Sequence, residues 1–220
     1  MTLREIIELV RNELDDTTGK QLWSNEELIE YAVDAENEAS VRARLLIDST
    51  TTAVCTIAVT AGEPVLTLDS RVVFIRRAKL ALDDTKLSRA QMRDLDNAVV
   101  GWETETGTPE LFVTDYETGK IRLFPKPLVN DTLNLTVIRL PLADMNAMDD
   151  TPEIHARYHR NLRYWIMHRA YMKQDTETKD AGKAKENYDL FESIFGKRSS
   201  AVDEEWIARE QMGDDFNGVY

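Results

Sequence analysis

One cysteine, Cys55, stands in 220 residues, which excludes an intramolecular disulfide and any thiolate metal cluster and suits a reducing compartment. Nine glycines and six prolines are few and scattered, and no Gly-x-Gly-x-x-Gly, Walker loop or Gly-x-Ser-x-Gly is present. No apolar run approaches the roughly 20 residues of a membrane span. The opening Met-Thr-Leu-Arg-Glu leads into an amphipathic pattern, so no signal peptide is expected. Bases are also short: 27 Lys and Arg against 40 Asp and Glu leave a net charge of −13. That balance argues against gripping nucleic acid through neutralised phosphates, though not against passing close to it. What is present, 42% hydrophobic and 30% charged residues, is enough for a packed core in one large domain or two small ones.

The first 48 residues read as two helices. Thr2 with Glu5 and Ser24 with Glu27 have capping-box spacing, and Trp23 is placed to staple against Leu28. Leu3, Ile6, Ile7, Val10 and Leu14 form one apolar stripe; Leu28, Ala32, Ala35, Ala39, Ala43 and Leu46 form another, whose alanines imply close approach of a neighbour. The segment Asp15 to Gln21 is the expected break between them. After Asp48 the period falls to two: Cys55, Ile57 and Val59 alternate with polar partners, Val65 to Leu68 and Val72 to Leu82 follow, and Leu111 to Phe124 reads as a hairpin around Glu117-Thr-Gly119. Ser88 to Leu95 reads as a short helix. Pro125 and Pro127 end a strand, and Leu133, Leu135 and Val137 face one way with Thr132, Asn134 and Thr136 opposite. Short strands joined by turns favour an antiparallel sandwich or open barrel.

Helices return at Thr151, a good N-cap before Pro152. Ile154, Tyr158, Leu162, Trp165 and Met172 form one stripe; Ala181, Ala184, Tyr188, Phe191 and Phe195 form a second, stopped by Gly196. The expected fold class is α+β: a four-helix bundle from residues 1–50 and 148–197, an inserted antiparallel β domain over 51–147, and an extended acidic tail over 198–220. From Ser199 onward six acids meet one base. Yet Trp206, Ile207, Met212, Phe216 and Tyr220 are spread through that tail, the residue types that supply binding energy on a partner.

Catalytic signals are thin. His155 and His159 have the i,i+4 spacing of a metal pair, but Ala-Arg-Tyr lies between them, no Glu follows His155, and Arg157 and Arg160 would repel a cation. Asp83-Asp84 and Asp149-Asp150 read as helix caps rather than as a hydrolase carboxylate pair. Cys55 falls on the inward phase of its strand. Arg76, Arg77 and Lys79 form a basic knot in the strands, and Arg157, Arg160, Arg163 and Arg169 give the aromatic helix a basic side. Charge runs of this kind are ordinarily solvated faces; the sharper reading has basic faces of one copy meeting acidic faces of the next, through Arg76, Arg77, Arg157 and Arg160.

Three stretches, in order, carry a resemblance: Leu22-Trp-Ser-Asn-Glu-Glu-Leu28 leading to Arg42-Ala-Arg-Leu-Leu46; Gly107-Thr-Pro-Glu-Leu-Phe112 with Ile121-Arg-Leu-Phe-Pro125 and Leu133-Asn-Leu-Thr-Val-Ile-Arg-Leu-Pro141; and Pro152-Glu-Ile-His-Ala-Arg-Tyr-His159 running to Arg169-Ala-Tyr171 and Asp175. Over residues 1–196 the chain resembles the head-to-tail adaptor, or connector, proteins of tailed bacteriophages, especially the tubular tail adaptors of short-tailed phages. The resemblance implies a non-enzymatic virion protein of the neck, without cofactor or metal and without a membrane. It further implies a ring of about twelve copies between portal protein and tail nozzle protein, closed by heterologous contacts, with genomic DNA passing through its lumen and no specific DNA binding. The tail from Trp206 to Tyr220 would then dock on the portal. Two other readings are a free acidic interaction protein, such as a DNA mimic or host-factor inhibitor, and a metal or carboxylate hydrolase.

Overall fold

The computed structural model describes residues 1–17, 21–175 and 178–198. These divide into two compact units, one from Met1–Leu46 and Leu140–Arg198, the other from Ile47–Arg139.

In the first unit, α1 (Leu3–Leu14) and α2 (Asn25–Ala43) each open on a complete capping box, Thr2 with Glu5 and Ser24 with Glu27. Both helices end on a residue in the left-handed region, Asp15 and Arg44, so α2 stops at Ala43 and Leu46 lies beyond it. The buried Arg11 binds Asp16, the Trp23 carbonyl (3.1 Å) and Asn25 Oδ1 (2.8 Å), joining the end of α1 to the start of α2. The expected break from Asp15 to Gln21 takes in residues 18–20, which lie outside the described residues. Leu28, Ala32, Ala35 and Ala39 are fully buried, as the small-residue stripe requires for close helix approach.

The later helices come with two corrections. No α-helix begins at Thr151: Pro152 to Ile154 is non-helical, a 3₁₀ segment runs Ala156–Leu162, and α5 is only Arg163–Met172. The cause lies far along the chain. Buried Glu36 of α2 accepts hydrogen bonds from the amides of Glu153 and Ile154, the groups that a helix starting at Thr151 would present at its first turn. Met172, expected in the stripe, is exposed. α6 (Ala181–Phe195) ends at Gly196, with Ala184, Phe191 and Phe195 buried. Helices α1, α2, α5 and α6 share one core that includes Trp23, Trp165, Ile166 and Phe191. At its centre the Arg42 guanidinium lies 5.0 Å from the Trp165 ring, 5.2 Å from Tyr188 and 5.3 Å from Phe191, while Glu38 binds its Nε at 2.9 Å.

The second unit enters on β1 (Ile47–Asp48), passes a helical turn α3 (Thr52–Cys55), and runs β2 (Thr56–Val59), β3 (Val65–Thr67), β4 (Val72–Leu80) and β5 (Lys86–Ala90). Helix α4 (Met92–Ala98) follows, then β6 (Thr106–Gly107), β7 (Leu111–Val113), β8 (Lys120–Phe124), β9 (Lys126–Pro127) and β10 (Asp131–Arg139). The main sheet is ordered β1-β10-β4-β5-β7-β8-β3, with β2 also on β10. Its far members β2 and β3 are consecutive in the chain and meet, so the sheet is curled, in the manner of a half-barrel.

This sheet is mixed rather than antiparallel, because β5 pairs parallel with β7, and β6 with β9. The connection from β5 to β7 carries α4 and a 3₁₀ turn, enough chain for the crossover that a parallel pair needs. The expected helix over Ser88 to Leu95 is therefore half strand, and Lys126-Pro127 re-enters pairing beyond Pro125. Cys55 ends the α3 turn rather than beginning a strand: the Asp48 carboxylate holds the amides of Thr50 and Thr51, and the turn closes on the Thr51 carbonyl. The β7–β8 hairpin forms where Gly119 takes a positive φ. Leu133, Leu135 and Val137 are buried together with Ile75, Leu87 and Phe112.

Candidate functional site

The three histidines, Cys55 and the aspartate pairs are used for structure. Both nitrogens of buried His159 meet backbone, Nε2 at the Ile154 carbonyl (2.8 Å) and Nδ1 at that of Met1 (3.1 Å). His155 Nδ1 accepts from the Arg157 amide, and His168 Nδ1 lies 2.9 Å from the Ala184 carbonyl. Cys55 is buried beside Asp48, and burial first, then that carboxylate, pushes its thiol pKa up, opposite to what a reactive thiolate needs. The aspartate pairs do not cap helices. Asp84 takes a positive φ in the β4–β5 turn and pairs with Lys79. Asp149 pairs with Arg4, while Asp150 accepts from the amides of Asn146 and Ala147.

Among the basic residues the structure sorts two kinds. Arg163 and Arg169 are bound within the helical unit, to Glu13 and Asp34. Arg157 and Arg160 are exposed on the 3₁₀ segment, Arg157 lying over the Tyr158 ring. In the β unit Arg77 stands opposite Thr136, and the register shift between Thr136 and Val137 leaves Arg76 as the extra residue of a bulge. Both are exposed, and among the described residues neither is in an ion pair. Trp206, Ile207, Met212, Phe216 and Tyr220 lie outside the described residues.

Charge differs between the units. Residues 1–46 and 140–198 hold fifteen bases and twenty-one acids, net −6; residues 47–139 hold eleven and thirteen, net −2. Neither unit offers a broad field for a phosphate backbone.

A surface that periodicity did not reveal lies at one end of the β unit. Three loops are tied there: the Gly62 amide donates to the Pro127 carbonyl (2.8 Å), the Ala61 amide to Asn130 Oδ1 (2.8 Å), and the Leu82 amide to Asp131 Oδ1 (3.1 Å). They present Leu82, Leu128 and Val129, 63%, 63% and 61% exposed. Apolar side chains grouped on hydrogen-bonded loops form a pre-shaped contact rather than a collapsing one. The legible signal was Leu-Val inside the turn between Pro127 and Asn130, where polar residues are the rule.

Among the described residues no helix is long and apolar enough to cross a membrane, and no group of His, Cys, Asp and Glu is arranged to hold a metal ion. The described surface carries exposed arginines, an apolar loop end and a negatively charged helical unit. No curated protein matches the chain. The family described as SU10 adaptor protein matches residues 1–213; the chain belongs to this family of phage structural adaptors.

Proposed function

We propose that the chain forms a ring of about twelve copies between portal and tail nozzle, assembled in the host cytoplasm, with genomic DNA passing through the lumen. Membership of the adaptor family carries this reading. The net −13 supports it physically: acids around a lumen repel the DNA backbone, and screening within about 8 Å at physiological salt confines the repulsion to the wall. Helices α1, α2, α5 and α6 act as the bundle that builds the ring and meets the portal, and the β unit meets neighbouring copies and the next tail component. Arg76, Arg77, Arg157 and Arg160 are contact residues between copies. The segment with Trp206, Ile207, Met212, Phe216 and Tyr220 is the portal-docking arm.

The test is to mix the purified full chain with portal assemblies and image them. A ring seated on the portal is expected, and portals left bare by the full chain would overturn the placement. A chain ending at Arg198 is expected to lose attachment; equal attachment removes the arm from the proposal. The apolar loop end is assigned to the nozzle side. Leu128→Ser with Val129→Ser is expected to leave stability within about 0.5 kcal/mol, as for exposed positions generally, while reducing nozzle recruitment to preformed portal–adaptor complexes. Unchanged recruitment would free that end of the β unit from the role.

A further inference from the structure

Two pairs of like charge, of opposite sign, are exposed on this chain: Arg76 with Arg77, and Glu26 with Glu30. On β4, Arg76 and Arg77 are exposed and, among the described residues, in no ion pair, while Lys79 two residues on is bound by Asp84. Across β10, Arg77 and Lys79 face Thr136 and Asn134, which bring no carboxylate. Because β4 lies between β10 and β5, these cations mark a face of the sheet and not a free edge.

On α2, Glu26, Glu30 and Asp34 repeat at i,i+4, a spacing at which like charges are neighbours on the helix surface and repel. Asp34 is neutralised by Arg169, and neighbouring Glu27 by Lys173 at 2.7 Å. Glu26 and Glu30 are exposed, and among the described residues neither is in an ion pair.

We propose that the Arg76–Arg77 face of β4 in one copy seats the Glu26–Glu30 stripe of α2 in a second copy. The inference rests on the adaptor reading and supplies the pairing that reading leaves open. Charge complementarity chooses the occupant, and the bulge at Arg76 leaves both neighbouring arginines exposed on β4. Arginine forks bind carboxylates with two parallel hydrogen bonds, which fixes register as well as attraction. The contact is heterologous, because sheet meets helix, so each copy keeps one surface of each kind for the next.

The test uses the full chain in sedimentation at low salt. Wild type is expected to self-associate weakly, and to lose association at high salt. Arg76→Glu with Arg77→Glu, and separately Glu26→Arg with Glu30→Arg, are each expected to weaken association at least tenfold with thermal unfolding unchanged. Mixing the two variants, or combining all four changes in one chain, is expected to restore it, because every contact again joins opposite charges. Wild type that stays monomeric at low salt, variants that associate as wild type does, or a mixture that fails to recover each overturns the pairing. So does a loss of DNA retention with association unchanged, which would assign the face to phosphate. Portal attachment is read in parallel: wild type on portals with indifferent variants removes this pairing alone, whereas restored self-association with bare portals removes the adaptor placement alone.

Discussion

Asp48→Ala is expected to cost the β unit about 3–5 kcal/mol, the usual loss when one partner of a buried ion pair is removed. Asp48 and Arg139 are both buried, with Oδ2 and Nε 2.7 Å apart, and they stand on the strands by which the chain enters and leaves this unit. Those strands pair antiparallel, Ile47 with Ile138 and Asp48 with Val137. The carboxylate also accepts from the amides of Thr50 (2.9 Å) and Thr51 (3.1 Å) and from the Thr51 hydroxyl (2.7 Å). Burial alone would raise its pKa; the bonds from Thr51, Thr50 and Arg139 outweigh it and hold the carboxyl well below the usual range. A depressed carboxylate stabilises the fold above its unfolded value of about 3.9 and loses that contribution as pH falls toward its folded one. The gap between wild type and Asp48→Ala should therefore be full at pH 7 and close only in strong acid. Urea unfolding gives the size, and amide exchange along β10 locates it. A cost under about 1 kcal/mol at pH 7 would show that the pair does not hold the entry and exit strands together, since exposed pairs give no more.

Features fixed within a few residues could be read from the chain. Thr2 with Glu5 and Ser24 with Glu27 close their boxes, and Leu133, Leu135 and Val137 turn inward, because capping and strand alternation depend on neighbours in sequence. Features decided by distant groups could not. The first turn expected after Thr151 is taken by Glu36, 117 residues from Glu153. Asp84 serves a turn and Lys79, since a strand and not a helix follows it: β5 runs to Ala90 in a parallel pair with β7. Parallel pairing leaves almost no local mark, because its partner comes after a crossover. On the surface, Arg76 and Arg77 were legible as a charge knot, but that a bulge against β10 sets both on the exposed side depends on strand register. Leu82 and the pair Leu128-Val129 come from two separate turns, brought to one end by hydrogen bonds such as that from the Leu82 amide to Asp131.

Glu36→Gln should remove a pH dependence of the helical unit's stability. The carboxyl is 2% exposed, and burial is the largest influence on it. The amides of Ile154 and Glu153 oppose that effect, the carboxylates of Glu153 and Asp144 reinforce it, and the pKa is pushed up to about 7. Here the sign reverses from Asp48. Between the unfolded value, about 4.3, and pH 7 the folded chain keeps a proton that the unfolded chain releases, so stability falls as pH rises through that window and levels off above it. The span amounts to something on the order of 3 kcal/mol. Glutamine keeps an acceptor for both amides and carries no charge, so the variant should match wild type near pH 5 and exceed it at pH 8. Glu36→Ala, by contrast, leaves two amides without their acceptor and should be weaker at both. Urea midpoints of the three chains at pH 5 and pH 8 test this. If the difference between wild type and Glu36→Gln is the same at both values, Glu36 does not titrate in that window, and the link from α2 to Glu153 and Ile154 is a pH-independent bond.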